Sequence, residues 1–272
     1  MPNPRAFMLT AIGHRFQDSR YRLMAASMIG LASLAIDLLL HVQFRLASDA
    51  YQRLFEANDK TLEAYLTGRS SYEIAFAAYQ QANAGYQAVD EAYQTALVGR
   101  FFLAVLVLIT FGVMAKDDRA SIGLAMPVQG WAYWGRLVIV LFLLFSMLAV
   151  ILPLTWWSFG WRMDGFLNST AGINVAEGML RAPVLEEALY RLALCSVIAA
   201  RWGPGTAIVG SGIVFGIAHV IYGNLNAMNL AGGFFLAWAF LKSNSVLVPI
   251  LLHALGNIYL FLVIELLSPY FS

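Results

Sequence analysis

Two glutamates and one arginine interrupt an otherwise apolar stretch at residues 182–201: Glu186, Glu187 and Arg191. On membrane-insertion scales each such charge costs on the order of 2.5–3.5 kcal/mol near mid-membrane, whereas each Leu, Ile or Val contributes only about 0.3–0.6 kcal/mol in return. The stretch therefore has to lie inside a protein bundle, where partners or water receive its charges. Because Arg191 follows Glu187 by four residues, the two share a helix face and can pair. Glu186 points roughly 100° away, which leaves its carboxylate available for other chemistry.

Two later apolar stretches carry polar residues spaced by one helical turn. Phe215 precedes His219 by four residues, and His253 precedes Asn257 by four residues. This interval places both members of each pair on one helix face. We therefore expect one acid and two imidazoles, from three separate membrane helices, to surround a common polar cavity.

The composition explains why helices must position these groups. Of the 272 residues, 60% are hydrophobic and 12% are charged, and the mean hydropathy is +0.68, which is far too apolar for an ordinary soluble domain. The chain is predicted to be all-α, a polytopic helix bundle of about seven spans in a cell (inner) membrane. Its net charge of +1 and the lack of a basic run argue against a nucleic-acid partner. Its single cysteine, Cys195, excludes an internal disulfide framework.

The first part of the chain is predicted to form two spans joined by a water-soluble segment. Residues 1–22 are polar and arginine-rich and precede a long apolar run, which indicates a cytoplasmic N-terminal segment before a retained anchor. Residues 23–115 then hold the first two spans. Asp37 and His41 lie one turn apart in the first span, and we interpret them as polar groups near the interface or facing the bundle, not as catalytic groups.

Residues 45–100 carry a seven-residue repeat. Five tyrosines recur at every seventh position: Tyr65, Tyr72, Tyr79, Tyr86 and Tyr93. Such a repeat is typical of a packed helical seam. It predicts an extracytoplasmic antiparallel helical hairpin that continues into the first two spans. A hairpin that packs only on itself is the simpler interpretation, and an arm that binds a partner or recruits a substrate is the alternative.

Three motifs stand in order along the second half of the chain. They are EExxxR at 186–191, FxxxH at 215–219 and HxxxN at 253–257. Their order and spacing resemble the motifs of the CAAX protease and bacteriocin-processing family, glutamic intramembrane proteases that include the type II prenyl-protein endopeptidases. The resemblance covers roughly residues 130–267, which we expect to form the protease core in the membrane.

The resemblance implies catalytic roles for four residues and implies neither a cofactor nor a metal. Glu186 would act as general base on a water molecule, with His219 assisting, while His253 and Asn257 would form an oxyanion hole. Elementary chemistry agrees with this division. A buried carboxylate can take a proton from water, and two donors one helical turn apart can both reach the oxygen of a tetrahedral intermediate.

Three further residues are expected to support the site. Glu187 and Arg191 would form a structural ion pair that orients their helix. Phe215 would pack beside His219 and limit the entry of water. For each residue the plainer interpretation is a polar or aromatic contact that only holds helices together.

Two other functions remain open at this point. Glu186, His219 and His253 are plausible zinc ligands, although no HExxH helix is present. A proton-coupled carrier, an immunity protein or a scaffold could use the same buried acid and histidines, but a carrier more often has polar groups along a whole path through the membrane. As a protease, the chain would act on a membrane protein, a lipidated protein or a peptide precursor.

Overall fold

A computed structural model of the chain describes residues 20–114, 123–158, 181–221 and 227–271. These residues form seven helices and no strand: α1 (Arg20–Leu66), α2 (Tyr72–Met114), α3 (Trp131–Ser158), α4 (182–202), α5 (Pro204–Ile221), α6 (Ala227–Ser243) and α7 (Leu247–Phe271). The predicted all-α class is therefore confirmed for the described part of the chain. Most of the predicted cytoplasmic segment, residues 1–19, lies outside the described residues.

Helices within the described residues have the length and composition of membrane spans. Three of them are long and apolar enough to cross a membrane, over Leu23–Leu66, Tyr72–Val113 and Pro204–Ile221. Two shorter apolar helical stretches cover Trp131–Met147 and Leu247–Leu262. Many large apolar side chains on the first three helices are exposed, as expected for helices that face lipid.

Helices α1 and α2 pack antiparallel along their length. Three aromatic pairs join them, with ring centroids 6.2, 5.9 and 5.8 Å apart: Tyr65–Tyr72, Tyr51–Tyr86 and Phe44–Tyr93. The next level, seven residues further along each helix, is occupied by Asp37 and Arg100. The chain reverses between the helices at Gly68, whose φ of 69° is the left-handed conformation that glycine adopts without strain.

Helices α5 and α6 approach each other closely through glycines. A side-chain carbon at Gly233 would lie 3.0 Å from the carbonyl oxygen of Gly212, and one at Gly212 would lie 2.3 Å from the ring of Phe234. Small residues permit this approach, since they let helix backbones come together in a membrane. The close packing fixes α5, the helix that carries His219.

Helix α4 lies at the centre of the described bundle. It has an α-helical start (Ala182–Glu187), a π-helical middle (Ala188–Cys195) and an α-helical end (Ser196–Trp202). Its residues contact α1, α2, α5, α6 and α7, and most of its side chains are buried. The charged stretch is therefore enclosed by protein, as its insertion energetics require.

Candidate active site

Helix α4 delivers three buried charges to the centre of the bundle. Glu186 and Glu187 end its first α-helical part, and Arg191 stands within the π-helical part. Glu187 and Arg191 are fully buried, and Glu186 is 6% exposed. A π-helical stretch is wider than an α-helix and is frequent at functional sites. Each of these charges needs a partner, because an unpaired buried charge is strongly destabilising.

Glu186 faces the two predicted histidines. Its Oε2 atom lies 3.8 Å from Nε2 of His219 on α5 and 3.9 Å from Nε2 of His253 on α7. Oε2 is buried and accepts no hydrogen bond from the described residues. Three helices thus bring one acid and two imidazoles around a single carboxylate oxygen.

The hydrogen bond of His219 fixes which ring nitrogen carries its proton. Nδ1 donates to the carbonyl oxygen of Phe215 at 2.9 Å, one turn earlier on α5. A carbonyl can only accept, so Nδ1 is the protonated nitrogen. In the neutral ring, Nε2 is then an acceptor that points toward Glu186.

His253 connects the two glutamates. Its Nδ1 donates to Oε1 of Glu187 at 2.8 Å, and its Nε2 faces Oε2 of Glu186. Glu187 also pairs through Oε2 with Nε of Arg191 at 2.8 Å, the ion pair that the four-residue spacing predicts. Glu187 therefore does more than pair with Arg191, since it also orients an imidazole of the site.

Arg191 is enclosed by three kinds of contact. Beside its ion pair, Nη1 donates to the hydroxyl of Ser211 at 3.0 Å, and that hydroxyl donates to the carbonyl oxygen of Tyr190 at 3.0 Å. The guanidinium also lies 4.9 Å from the ring centre of Phe215. The sequence analysis did not identify Ser211, because a serine in an apolar helix carries no signal of its partner.

Phe215 lies between the charged groups. Its ring centre is 4.3 Å from that of His219 and 6.0 Å from that of His253, and it is almost fully buried. Electrostatic interactions beside a buried aromatic ring are stronger than in water, because the local dielectric constant is lower.

Asn257 lies on α7 one turn after His253 and is partly buried. A helical turn places the two side chains on the same face of α7. The arrangement therefore keeps Asn257 on the side of the helix that carries His253.

Two residues that the sequence analysis left out of the site reach it from the first two helices. Arg100 of α2 donates through Nη2 to Oε1 of Glu186 at 3.4 Å and through Nε to Oδ1 of Asp37 at 2.8 Å. Asp37 of α1 is fully buried. Oε1 of Glu186 thus has a charged partner, Arg100, that the sequence analysis did not identify. Asp37 was the signal in the sequence that could have indicated this contact, because an aspartate in a membrane span is costly without a partner.

The charged residues form one continuous network in which carboxylates and basic groups alternate. Its members are, in spatial order, Asp37, Arg100, Glu186, His253, Glu187 and Arg191. Among the described residues, no group of three or more His, Cys, Asp or Glu side chains is arranged to hold a metal ion. Glu186 can accept a proton, and the imidazoles of His219 and His253 both lie close to its carboxylate. Acid–base catalysis requires groups of this kind.

Comparison with protein families agrees with the motifs. Residues 168–259 match the family model described as Rce1-like, type II CAAX prenyl endopeptidase. The match is narrower than the expected 130–267, but it contains all three motifs. Searches of curated proteins and of solved structures found no match. The segment that carries Glu186, His219 and His253 is thus similar to the Rce1-like type II CAAX prenyl endopeptidases, a family of membrane proteases.

Proposed function

We propose that this chain is an intramembrane endopeptidase of the glutamic type, which cleaves a peptide bond in a membrane-associated protein or peptide. The observation that carries the proposal is the position of one buried carboxylate oxygen, Oε2 of Glu186, 3.8 Å and 3.9 Å from the Nε2 atoms of His219 and His253. Three helices supply these groups, so the site exists only when the bundle is assembled. The family match at residues 168–259 supports the same class of reaction.

In the first step Glu186 acts as general base. A water between Oε2 of Glu186 and Nε2 of His219 would donate one hydrogen to each, because both atoms are acceptors in this arrangement. Its oxygen lone pair then points away from both and toward the carbonyl carbon of a bound peptide. As the new C–O bond forms, the proton passes to Glu186 and the carbonyl oxygen becomes an oxyanion. A positioned base of this kind contributes about 10²–10⁴-fold to the rate.

His253 and Asn257 are proposed to hold the oxyanion. Because Nδ1 of His253 donates to Glu187, Nε2 can donate only in the imidazolium form, whose charge the Glu187 carboxylate offsets. The Asn257 amide, one turn further along α7, supplies a second donor. Donors aimed at the developing negative charge stabilise the transition state more than the substrate.

The second step returns the proton. When the tetrahedral intermediate collapses, the C–N bond breaks and the proton held by Glu186 passes to the leaving amine nitrogen. The products are a carboxylate-ended peptide and a free amine, and Glu186 is again a carboxylate. One carboxyl group thus serves first as base and then as acid.

We further propose the membrane arrangement that the sequence predicts. About seven spans cross a cell membrane, the N-terminus is cytoplasmic, and the outer half of the α1–α2 pair, within residues 45–100, projects on the opposite side. The substrate is a membrane protein, a lipidated protein or a peptide precursor. The name of the matched family makes a prenylated C-terminus the first substrate to test.

The test uses purified protein in lipid vesicles and two internally quenched peptides. One carries a farnesylated cysteine at the fourth position from its C-terminus, and the other carries the same sequence unmodified. Wild type should cleave at least one of them, and Glu186→Gln should lower kcat by about 10²–10⁴-fold. The matched control Glu56→Gln removes an exposed carboxylate from α1 and should leave cleavage unchanged.

Two outcomes would overturn the proposal. Cleavage by Glu186→Gln at the wild-type rate would exclude Glu186 as the base. Loss of wild-type cleavage with 1,10-phenanthroline, with recovery on added zinc, would replace the glutamic mechanism by a zinc mechanism. The proposal requires that the chelator leave the rate unchanged.

A further inference from the structure

We infer that Arg100, anchored by Asp37, is a positioning residue for Glu186, so that the first two helices complete the active site. This inference rests on the proposed role of Glu186 as the base. It goes beyond the matched family segment, because both Asp37 and Arg100 lie outside residues 168–259.

The guanidinium of Arg100 contacts two carboxylates at once. Nε lies 2.8 Å from Oδ1 of Asp37, and Nη2 lies 3.4 Å from Oε1 of Glu186. All three side chains are buried or nearly so, with side-chain exposures of 0%, 11% and 8% for Asp37, Arg100 and Glu186. A planar guanidinium with fixed donor directions can hold two acceptors in a set relative geometry.

The contact decides which oxygen of Glu186 faces the histidines. Arg100 takes Oε1, so Oε2 is the oxygen directed at His219 and His253. Without the guanidinium, the Glu186 side chain could rotate and exchange its oxygens or withdraw from the imidazoles. The base would then spend less time in the geometry needed for attack, and a misplacement of about 1 Å can cost about 10²-fold in rate.

Asp37 fixes Arg100 in turn. A long arginine side chain loses rotamer entropy when it is held in one position, and a second contact offsets part of that cost. His41, one turn after Asp37, also contacts this aspartate. Its Nδ1 donates to the Asp37 carbonyl oxygen at 2.8 Å and lies 3.7 Å from Oδ1 of Asp37. The imidazole of His41 therefore lies beside the Asp37 carboxylate on the same helix.

A second contact from α1 reaches the helix of His219. Nη1 of Arg45 donates to the carbonyl oxygens of Val220 and Ile221 at 2.9 Å and 3.2 Å. These carbonyls end α5, where a cation stabilises the negative end of the helix dipole. The first two helices thus contact both the base and the helix that carries its histidine partner.

The test compares five variants with wild type on the cleaved peptide of the pair above: four single variants and the double variant Asp37→Asn with Arg100→Gln. We expect Arg100→Gln to lower kcat by about 10–100-fold with KM nearly unchanged, because a misplaced base slows the chemical step without weakening substrate binding. Arg100→Lys should recover part of the loss because it restores the charge without the fork. Asp37→Asn should lower kcat by less than Arg100→Gln does. Because Asp37 acts through Arg100, the double variant should have the same kcat as Arg100→Gln alone. The matched control is Arg53→Gln, an exposed arginine of α1.

A second readout does not depend on activity. The infrared carboxylate bands of Glu186 are identified by subtracting the spectrum of Glu186→Gln from that of wild type. These bands should move in Arg100→Gln and stay in place in Arg53→Gln. If wild type cleaves no peptide, the proposed function fails, while the infrared comparison still decides whether Arg100 holds Glu186.

The inference is overturned by unchanged Glu186 bands in Arg100→Gln, or by moved bands with wild-type kcat. It is also overturned if Arg100→Lys has the wild-type kcat, because the planar fork of the guanidinium would then not be needed to hold Glu186. Should Arg100→Gln fail to insert, Asp37→Asn and Arg100→Lys carry both readouts.

Discussion

The outer half of the α1–α2 pair and the surroundings of α4 differ in the kind of contact that holds them together. In the pair, aromatic side chains such as Tyr79 and Tyr86 repeat at regular intervals and remain 58% and 57% exposed. Around α4, Glu187 and Arg191 are fully buried and pair with each other. The first region is held by many modest contacts, the second by a few that depend on one another. Substitutions of similar size should therefore have very different effects in the two regions.

The largest effect is expected from breaking the buried ion pair. Glu187→Ala leaves Arg191 without its carboxylate and His253 without its acceptor, so it should lower the free energy of unfolding by about 3–5 kcal/mol. The measurement is equilibrium unfolding in detergent micelles. An exposed acid of the pair, Glu91→Ala, should change the same quantity by no more than about 0.5 kcal/mol.

A double variant sharpens this prediction. Replacing both Glu187 and Arg191 with Met removes the two charges together, and such apolar replacements of a buried pair are often neutral. It should be clearly more stable than Glu187→Ala. Equal stability of the two variants would contradict the view that the unpaired arginine causes the loss.

A smaller effect is expected at the contact between α5 and α6. Gly233→Ala places a carbon 3.0 Å from the backbone oxygen of Gly212, which cannot move aside, and should cost about 1–3 kcal/mol of unfolding free energy. Its neighbour Gly232 has no such contact within 4 Å, so Gly232→Ala should instead stabilise the helix by about 0.5–1 kcal/mol. Equal effects at the two glycines would mean that α5 and α6 do not pack as closely as described.

The smallest effect is expected from shortening the α1–α2 pair by one matched repeat. Deleting residues 52–58 together with 79–85 removes seven residues from each helix and keeps every remaining level in register. Cleavage of the peptide probe and the Asp37–Arg100 contact should both survive. Deleting 52–58 alone offsets the tip by about 10 Å at 1.5 Å per residue and should lower thermal stability. If the matched deletion abolished cleavage, the outer half of the pair would belong to the catalytic site.

The seven-residue repeat also shows which contacts of the site could be predicted from the sequence. The Glu187–Arg191 pair follows from helical spacing within a single helix. The meeting of the three motifs was expected for a different reason, because polar groups on separate membrane helices need a common polar cavity. Arg100 was missed because its partners lie 63 and 86 residues away in the chain. Yet the seven-residue levels that pair Phe44 with Tyr93 continue one step further to Asp37 and Arg100. The seven-residue pattern could therefore have predicted the Asp37–Arg100 contact. The contact between Arg100 and Glu186 depends on the packing of α2 on α4, which the sequence alone does not specify.

The two supporting roles were predictable to different degrees. The position of Phe215 beside His219 follows from one helical turn. The bond from His253 to Glu187 joins α7 to α4 and has no counterpart in the spacing of either motif. Contacts between helices depend on how the helices rotate and tilt against each other, and the hydrophobic pattern leaves both open.

The most direct test of the central claim compares the membrane proteins of cells that contain either wild type or Glu186→Gln at equal levels. Mass spectrometry of protein termini measures which chains are cut. The account predicts at least one membrane-associated terminus that is present with wild type and replaced by the uncut protein with Glu186→Gln. Identical sets of termini in the two cell populations would contradict the proposal that Glu186, with His219 and His253, forms a protease site.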